Sequence, residues 1–167
     1  MISRKLALAA TVLAACSRRE PAPAAVPAGE PAAADTPAIT LERTPCFGTC
    51  PVYTVAISRS GAVRFTGKHH VTQTGQATDT IPPARVESLL AELDSAGYFG
   101  FADNYVMDSP ACGMYATDSP TIITSVTRAG KTKTIRHDRG CSAAPPELSQ
   151  LEQRIDDVAE TGKWTGR

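Results

Sequence analysis

The sequence predicts an α+β domain: an antiparallel β-sheet built from hairpins, with two amphipathic helices packed on one face, in the order β-β-β-α-β-β-α. Three observations carry this expectation. Stretches of alternating apolar and polar residues flank tight-turn signals at Ser60-Gly61 and Ala129-Gly130. After each of two proline pairs, Pro82-Pro83 and Pro145-Pro146, the hydrophobic period changes from two to that of a helix. The strands arrive as hairpins with no crossover helix between them, which argues against a parallel sheet.

The chain divides into three parts. Residues 1–15 read as an export signal: Arg4 and Lys5 give a positive start, and an apolar run of about ten residues ends in small side chains. That run is too short to span a bilayer, which takes roughly 20 residues. Residues 16–38 read as a tether, because Pro21, Pro23, Pro27, Pro31 and Pro37 alternate with alanines and no apolar period appears. Extended polyproline geometry at ~3.1 Å per residue gives the tether a reach of roughly 70 Å. Residues 39–167 are left for one domain, enough for one core and not two.

Within that domain, residues 39–43 alternate as a half-buried strand does. Residues 52–58 form a second strand, with Tyr53, Val55 and Ile57 on one face, and residues 63–66 return as a third. Residues 71–81, rich in threonine, read as a weaker edge strand with a turn at Gly75. The first helix places Val86, Leu89, Leu90, Leu93 and Ala96 on one face and closes at Gly97. A long loop over residues 102–119 follows, then a hairpin over residues 121–137. The second helix carries Leu148, Leu151, Ile155, Val158 and Ala159 on one face, with Gly162 as its stop and Trp164 just beyond. Each half thus reads hairpin, proline pair, helix, glycine, aromatic. A duplicated β-β-α unit gives this pattern, and so does the general commonness of its parts.

Charge and composition exclude one class of partner. Without Arg4 and Lys5 the 17 basic residues become 15, against 17 acidic, a net of about −2. Nucleic acid needs a basic face and favours stacking aromatics, and this chain offers neither. No cofactor is expected.

At the signal's cut site, Leu13-Ala14-Ala15-Cys16 resembles the bacterial lipobox, in which the cysteine is lipid-modified and becomes the new N-terminus. That resemblance makes Cys16 the point of membrane attachment. Ser17, where an aspartate would favour inner-membrane retention, leans the expectation towards the outer membrane, facing the periplasm. Export implies an oxidising compartment, so Cys46, Cys50, Cys112 and Cys141 should be paired. Sequence does not fix the connectivity. The arrangement we expect is the near pair Cys46–Cys50, leaving Cys112 with Cys141.

The run Cys46-Phe47-Gly48-Thr49-Cys50-Pro51-Val52-Tyr53 resembles the signature of a bacterial domain family of unknown function, often found on lipoproteins. The likeness extends through Ser60-Gly61, Leu89-Leu90 and Pro146 to Trp164, nearly the whole folded part. Many relatives begin the first helix with a serine before proline. Here Pro82 takes that place and no side-chain cap is available. The resemblance implies an exported α+β domain and supplies no reaction or ligand.

The residues that could carry chemistry are few. Cys46 and Cys50 fit a structural disulfide across a glycine-containing turn. Cys-x-x-x-Cys-Pro also resembles the motif of exported copper chaperones, and thiolates suit copper(I). On that reading His69, His70 or His137 could be a third ligand, with Cys46, Cys50 and His137 as the alternative metal set. The motif opens a strand here and a helix there, which argues against it. Adjacent His69 and His70 point to opposite faces of a strand. His137-Asp138 has a catalytic look without a nucleophile in a recognised motif. Asp103, Asp108 and Asp118 do not follow an EF-hand spacing. The expectation is therefore a lipid-anchored envelope protein whose domain is a non-catalytic binding or structural module, not an enzyme, with an envelope protein as its possible partner. The alternative is a thiol-redox or copper(I) protein. If the domain binds a partner, the loop over residues 102–119 is where to look.

Overall fold

A computed structural model describes residues 36–167; the expected signal, Cys16 and the expected tether up to residue 35 lie outside them, while Pro37 and Ala38, read as the end of the tether, open the first strand. Seven strands, β1 (Pro37–Arg43), β2 (Val52–Ser58), β3 (Ala62–His69), β4 (Gly75–Thr80), β5 (Asn104–Tyr105), β6 (Thr121–Arg128) and β7 (Lys131–Asp138), form one sheet in the order β4-β3-β2-β1-β6-β7-β5. Helices α1 (Pro83–Ser95), α2 (Pro146–Ala159) and α3 (Gly162–Thr165) complete the domain, with a 3-10 turn at Tyr98–Gly100.

The fold is α+β, and the element order is corrected in three places. β4 is a full edge strand starting at Gly75. β5, two residues long, pairs parallel with β7, so the sheet is mixed and not wholly antiparallel. α2 stops at Ala159 because Glu160 turns left-handed (φ 55°), two residues before the expected glycine. Gly162 opens α3 instead, where a Cβ would meet the Arg167 carbonyl oxygen at 2.5 Å.

Strand alternation explains the layers. One sheet face carries Ile39, Leu41, Tyr53, Val55, Ile57, Val63, Phe65, Ile122, Val126 and Ile135, all buried. They pack against Val86, Leu89, Leu90 and Leu93 of α1 and Leu148, Leu151, Ile155 and Val158 of α2 in a single core. The opposite face is mostly threonine and charged side chains. The turn after β2 needs Gly61, where a Cβ would lie 1.9 Å from the Ile81 carbonyl oxygen. Ala129 and Gly130 both take positive φ (49° and 76°), as a two-residue turn matched to strand twist requires.

The repeated pattern of element types is not a repeated structure. The β2-β3 and β6-β7 hairpins step outward from β1 in opposite directions, while both helices share one face. The two hairpin-helix units are therefore of opposite hand, and no rotation superposes them.

β1 runs from the chain's point of emergence at Pro37 to Arg43, about 23 Å at ~3.3 Å per residue. The turns after β2 and β6 lie at the Pro37 end, since Pro37 pairs with Ser58 and Ile39 with Val126. Both cysteine pairs lie at the Arg43 end. Cys46 follows β1 and Cys50 precedes β2, with Cα atoms 5.8 Å apart. Cys141 follows β7 and is bonded to Cys112, with Cα atoms 4.5 Å apart. Both disulfides are those expected from the sequence. Tyr115 bridges to Cys141, and Phe47 N–H donates to the Asp118 carbonyl (3.1 Å), so the long loop and the Cys46–Cys50 corner are tied together.

Candidate functional site

The braced end of the sheet holds a cleft of about 650 Å³. Arg43, Pro51 and Tyr53 line it from the strands, Gln153, Asp156 and Asp157 from α2, and Thr161, Lys163 and Arg167 from the chain that follows. Its floor is a hydrogen-bonded network that register creates. Arg43 and Tyr53 are directly opposite on β1 and β2, on the face that α2 covers. Asp156 descends from α2 onto both. Arg43 donates Nε (2.8 Å) and Nη2 (2.5 Å) to Asp156 Oδ2, and Tyr53 donates its hydroxyl to Oδ1 (2.6 Å). Thr161 Oγ1 donates to the same oxygen (2.9 Å), and its backbone N–H to the Asp156 carbonyl (3.1 Å). Arg43 Nε also reaches the Tyr53 hydroxyl oxygen at 3.0 Å.

Burial and charge act together here. Burial and the neighbouring Asp156 carboxylate push the Tyr53 phenol well above its usual range, more than Arg43 pulls it down. Burial works against the Arg43 charge, but Asp156 and Tyr53 outweigh it and the guanidinium is held more firmly protonated than usual. The side chains of Arg43 and Asp156 are 19% and 6% exposed, so this is a partly buried pair in fixed geometry.

Aromatic packing supports the rim. Tyr53, Phe65 and Trp164 pack in series, with ring centroids 5.2 Å (tilted) and 4.9 Å (stacked) apart, and Lys163 lies over the Trp164 ring at 4.5 Å. Lys163 also pairs with Asp79 and Glu160, and Arg167 donates to the Thr49 carbonyl inside the Cys46–Cys50 loop (2.9 Å). The disulfide corner is thus part of the cleft's wall. Phe47 at its tip is 88% exposed, and Met114 on the neighbouring loop is 80% exposed.

The residues singled out in the sequence do not form this site. His137 and Asp138 sit on opposite faces of β7. His137 is buried, its Nδ1 2.7 Å from Glu152 Oε1 on α2, while Asp138 accepts from the Tyr115 hydroxyl (3.1 Å) and the Gly140 N–H (2.8 Å). They are no catalytic pair. His69 and His70 are exposed at the end of β3. Asp103 pairs with Lys133, and Asp108 and Asp118 are exposed loop residues with positive φ (68° and 71°). Among the described residues no three His, Cys, Asp or Glu side chains gather as a metal requires. With Cys46 and Cys50 bonded and His137 engaged by Glu152, nothing specific supports copper(I) or thiol-redox chemistry at that set.

Sequence reasoning missed Arg43, Tyr53 as a hydrogen-bonding group, Asp156 and Thr161. A signal existed: Glu152 and Asp156, four apart, fall on the same helical face as Leu148, Leu151, Ile155 and Ala159.

Fold and site together define a disulfide-braced α+β domain, with an Arg-Asp-Tyr-Thr network flooring a polar cleft. Its two disulfides indicate an oxidising, extracytoplasmic setting. Among the described residues no helix is long and apolar enough to cross a membrane. The chain belongs to the family described as Domain of unknown function (DUF6438), which matches residues 37–159. Thr161, Lys163 and Arg167 of the cleft lie beyond the matched span. No curated protein matches the chain.

Proposed function

We propose that this chain is a lipid-anchored cell-envelope protein. Its domain is a non-catalytic binding module that offers the cleft at its braced end to a ligand or an envelope protein partner. The observation that carries the reading is the placement of the cleft. It lies at the end of β1 opposite Pro37, so a tether entering at Pro37 leaves the cleft facing away from the point of attachment. Rigid walls support binding, since the Cys46–Cys50 disulfide corner and the Asp156 network fix the lining before any partner arrives. The lipobox-like Cys16, the Pro/Ala tether and Ser17 support an outer-membrane anchor facing the periplasm.

Two measurements test the reading. Cys16→Ala moves the full chain from the membrane fraction to the soluble fraction; retention in the membrane would count against the anchor. Gln153→Trp fills the cleft from an exposed position of α2. It abolishes capture of partners from envelope extracts while leaving the melting temperature unchanged. Capture undiminished by that variant would place binding elsewhere.

A further inference from the structure

The two edges of the sheet are finished differently. At one edge β7 is covered by β5, which pairs with it at Asn104–Arg136 and Tyr105–His137. The segment before β5 is tied on by the Arg136 N–H to the Asp103 carbonyl (2.9 Å) and by the Lys133 ammonium to the Phe101 carbonyl (2.6 Å). At the other edge β4, Gly-Gln-Ala-Thr-Asp-Thr, leaves Gln76, Thr78 and Thr80 exposed.

The direction of the backbone groups of β4 follows from one bond. Ile81 N–H donates to the Gly61 carbonyl (2.9 Å), at the end of the β3–β4 ladder. By alternation Asp79, Ala77 and Gly75 aim their backbone groups at β3, and Thr80, Thr78 and Gln76 aim theirs outward. The outward N–H of Thr80 is already taken by Asp79 Oδ1 (2.7 Å). Among the described residues two outward donors remain without a partner, on Gln76 and Thr78, beside their own carbonyls. β4 contains no lysine and no proline, and its register with β3 is unbroken. Apart from Asp79, which withdraws the Thr80 donor at one end, it carries none of the charges, prolines or bulges by which sheet edges are protected from pairing.

We propose that β4 pairs antiparallel with β4 of a second copy of this chain, about a two-fold axis at Ala77. In that register Gln76 of one copy lies opposite Thr78 of the other, and every free outward donor meets an outward carbonyl. The Thr80 N–H, the one donor withdrawn, falls outside the paired segment. Gln76, Ala77 and Thr78 are uncharged, and Asp79 is ion-paired with Lys163 of its own chain, so no unpaired like charges face each other. Because a two-fold pairing uses the same β4 edge of both copies, it closes at two and does not propagate as a filament. Four backbone hydrogen bonds make a weak pair, so trapping is the fitting readout.

Single cysteines are introduced into the full-length chain in its own envelope. Ala77→Cys puts two sulfurs on directly opposed residues of a non-hydrogen-bonded pair, about 4.5 Å apart at Cα and within disulfide reach. Thr78→Cys puts them diagonally apart, about 7–8 Å. The expected result is a disulfide-linked species of twice the monomer mass for Ala77→Cys, at least about fivefold more abundant than for Thr78→Cys. Peptide mapping should place the new bond at position 77. Adding Thr78→Pro to Ala77→Cys should remove it, since proline deletes an outward donor and spares the β3 ladder. Intact native disulfides and an unchanged melting temperature establish that this variant folds. Equal crosslinking at both positions, no homodimer, survival of the dimer with Thr78→Pro, or a crosslink to a different protein would each overturn the proposal.

Discussion

Asp156→Ala is the perturbation that the site geometry makes most costly. The change leaves the Arg43 guanidinium, 19% exposed, without the carboxylate that takes two of its bonds. It also strips the Tyr53 and Thr161 hydroxyls of their shared acceptor. Breaking one side of a buried pair costs about 3–5 kcal/mol, and partial exposure of Arg43 argues for the middle of that range, about 4 kcal/mol. For a domain of roughly 130 residues, an unfolding entropy of ~2.1 cal/mol/K per residue converts this to a fall of about 14 °C in melting temperature. Replacing both partners, Arg43→Met with Asp156→Leu, removes the stranded charge and should cost less than half as much. Urea and thermal unfolding of the two variants, in parallel with the parent, provide the assay. A loss below about 1 kcal/mol for Asp156→Ala, or equal losses for the single and double changes, would refute the network's role as the floor of the cleft.

Other outcomes follow from the same coordinates. Replacing Cys112 and Cys141 by serine opens a loop with a sequence separation of 29. It should cost nearly 4 kcal/mol by chain entropy, against about 2 for Cys46 with Cys50. Melting curves in which the second pair matters more would contradict that ordering. His137→Ala should cost about 3 kcal/mol, because Glu152 is buried and loses its one hydrogen-bond partner at Oε1; an unchanged urea midpoint would show that the pair does not hold α2 on the sheet. Tyr53 and Tyr98 are both held protonated above the ordinary phenol range, mainly by burial. The folded state therefore keeps protons that the unfolded chain releases from about pH 10 upward, so stability is full below that pH and falls as pH rises. Phenolate absorbance should show these two tyrosines ionising only as the protein unfolds, and titration near pH 10 with the fold intact would disprove it.

The legibility of this fold tracks the physics that each signal reports. Strand alternation and helical period report burial of apolar side chains, and Val55, Ile57, Leu89, Leu93, Leu148 and Ile155 stand where those patterns put them. Cysteine parity points to two bridges without fixing their connectivity, and the near-pair arrangement expected is the one that forms. Two failures share a cause, the lack of a long-range signal in local pattern. β5 exists only because the Asp103 carbonyl meets the Arg136 N–H on a strand some 30 residues away, and nothing near Asn104 announces it. Arg43 and Asp156, separated by 113 positions, find each other only once β1 and α2 are stacked. The end of α2 failed for a different reason: Glu160 adopts the left-handed conformation that sequence assigns by default to glycine. On α2 the pattern reading weighs only apolar side chains, so Glu152 and Asp156 on the same buried face give it no signal.

Site-specific photocrosslinking in the intact envelope tests most directly the claim that the braced end is the binding end. Photoreactive side chains placed at Phe47 and Gln153 probe the disulfide corner and the cleft. The same group at Arg59 or Ala129 probes the turns at the end where the chain emerges. A discrete partner captured from Phe47 and Gln153, and absent from Arg59 and Ala129, is the predicted result. Capture from the turn positions with none from Phe47 or Gln153 would contradict the account.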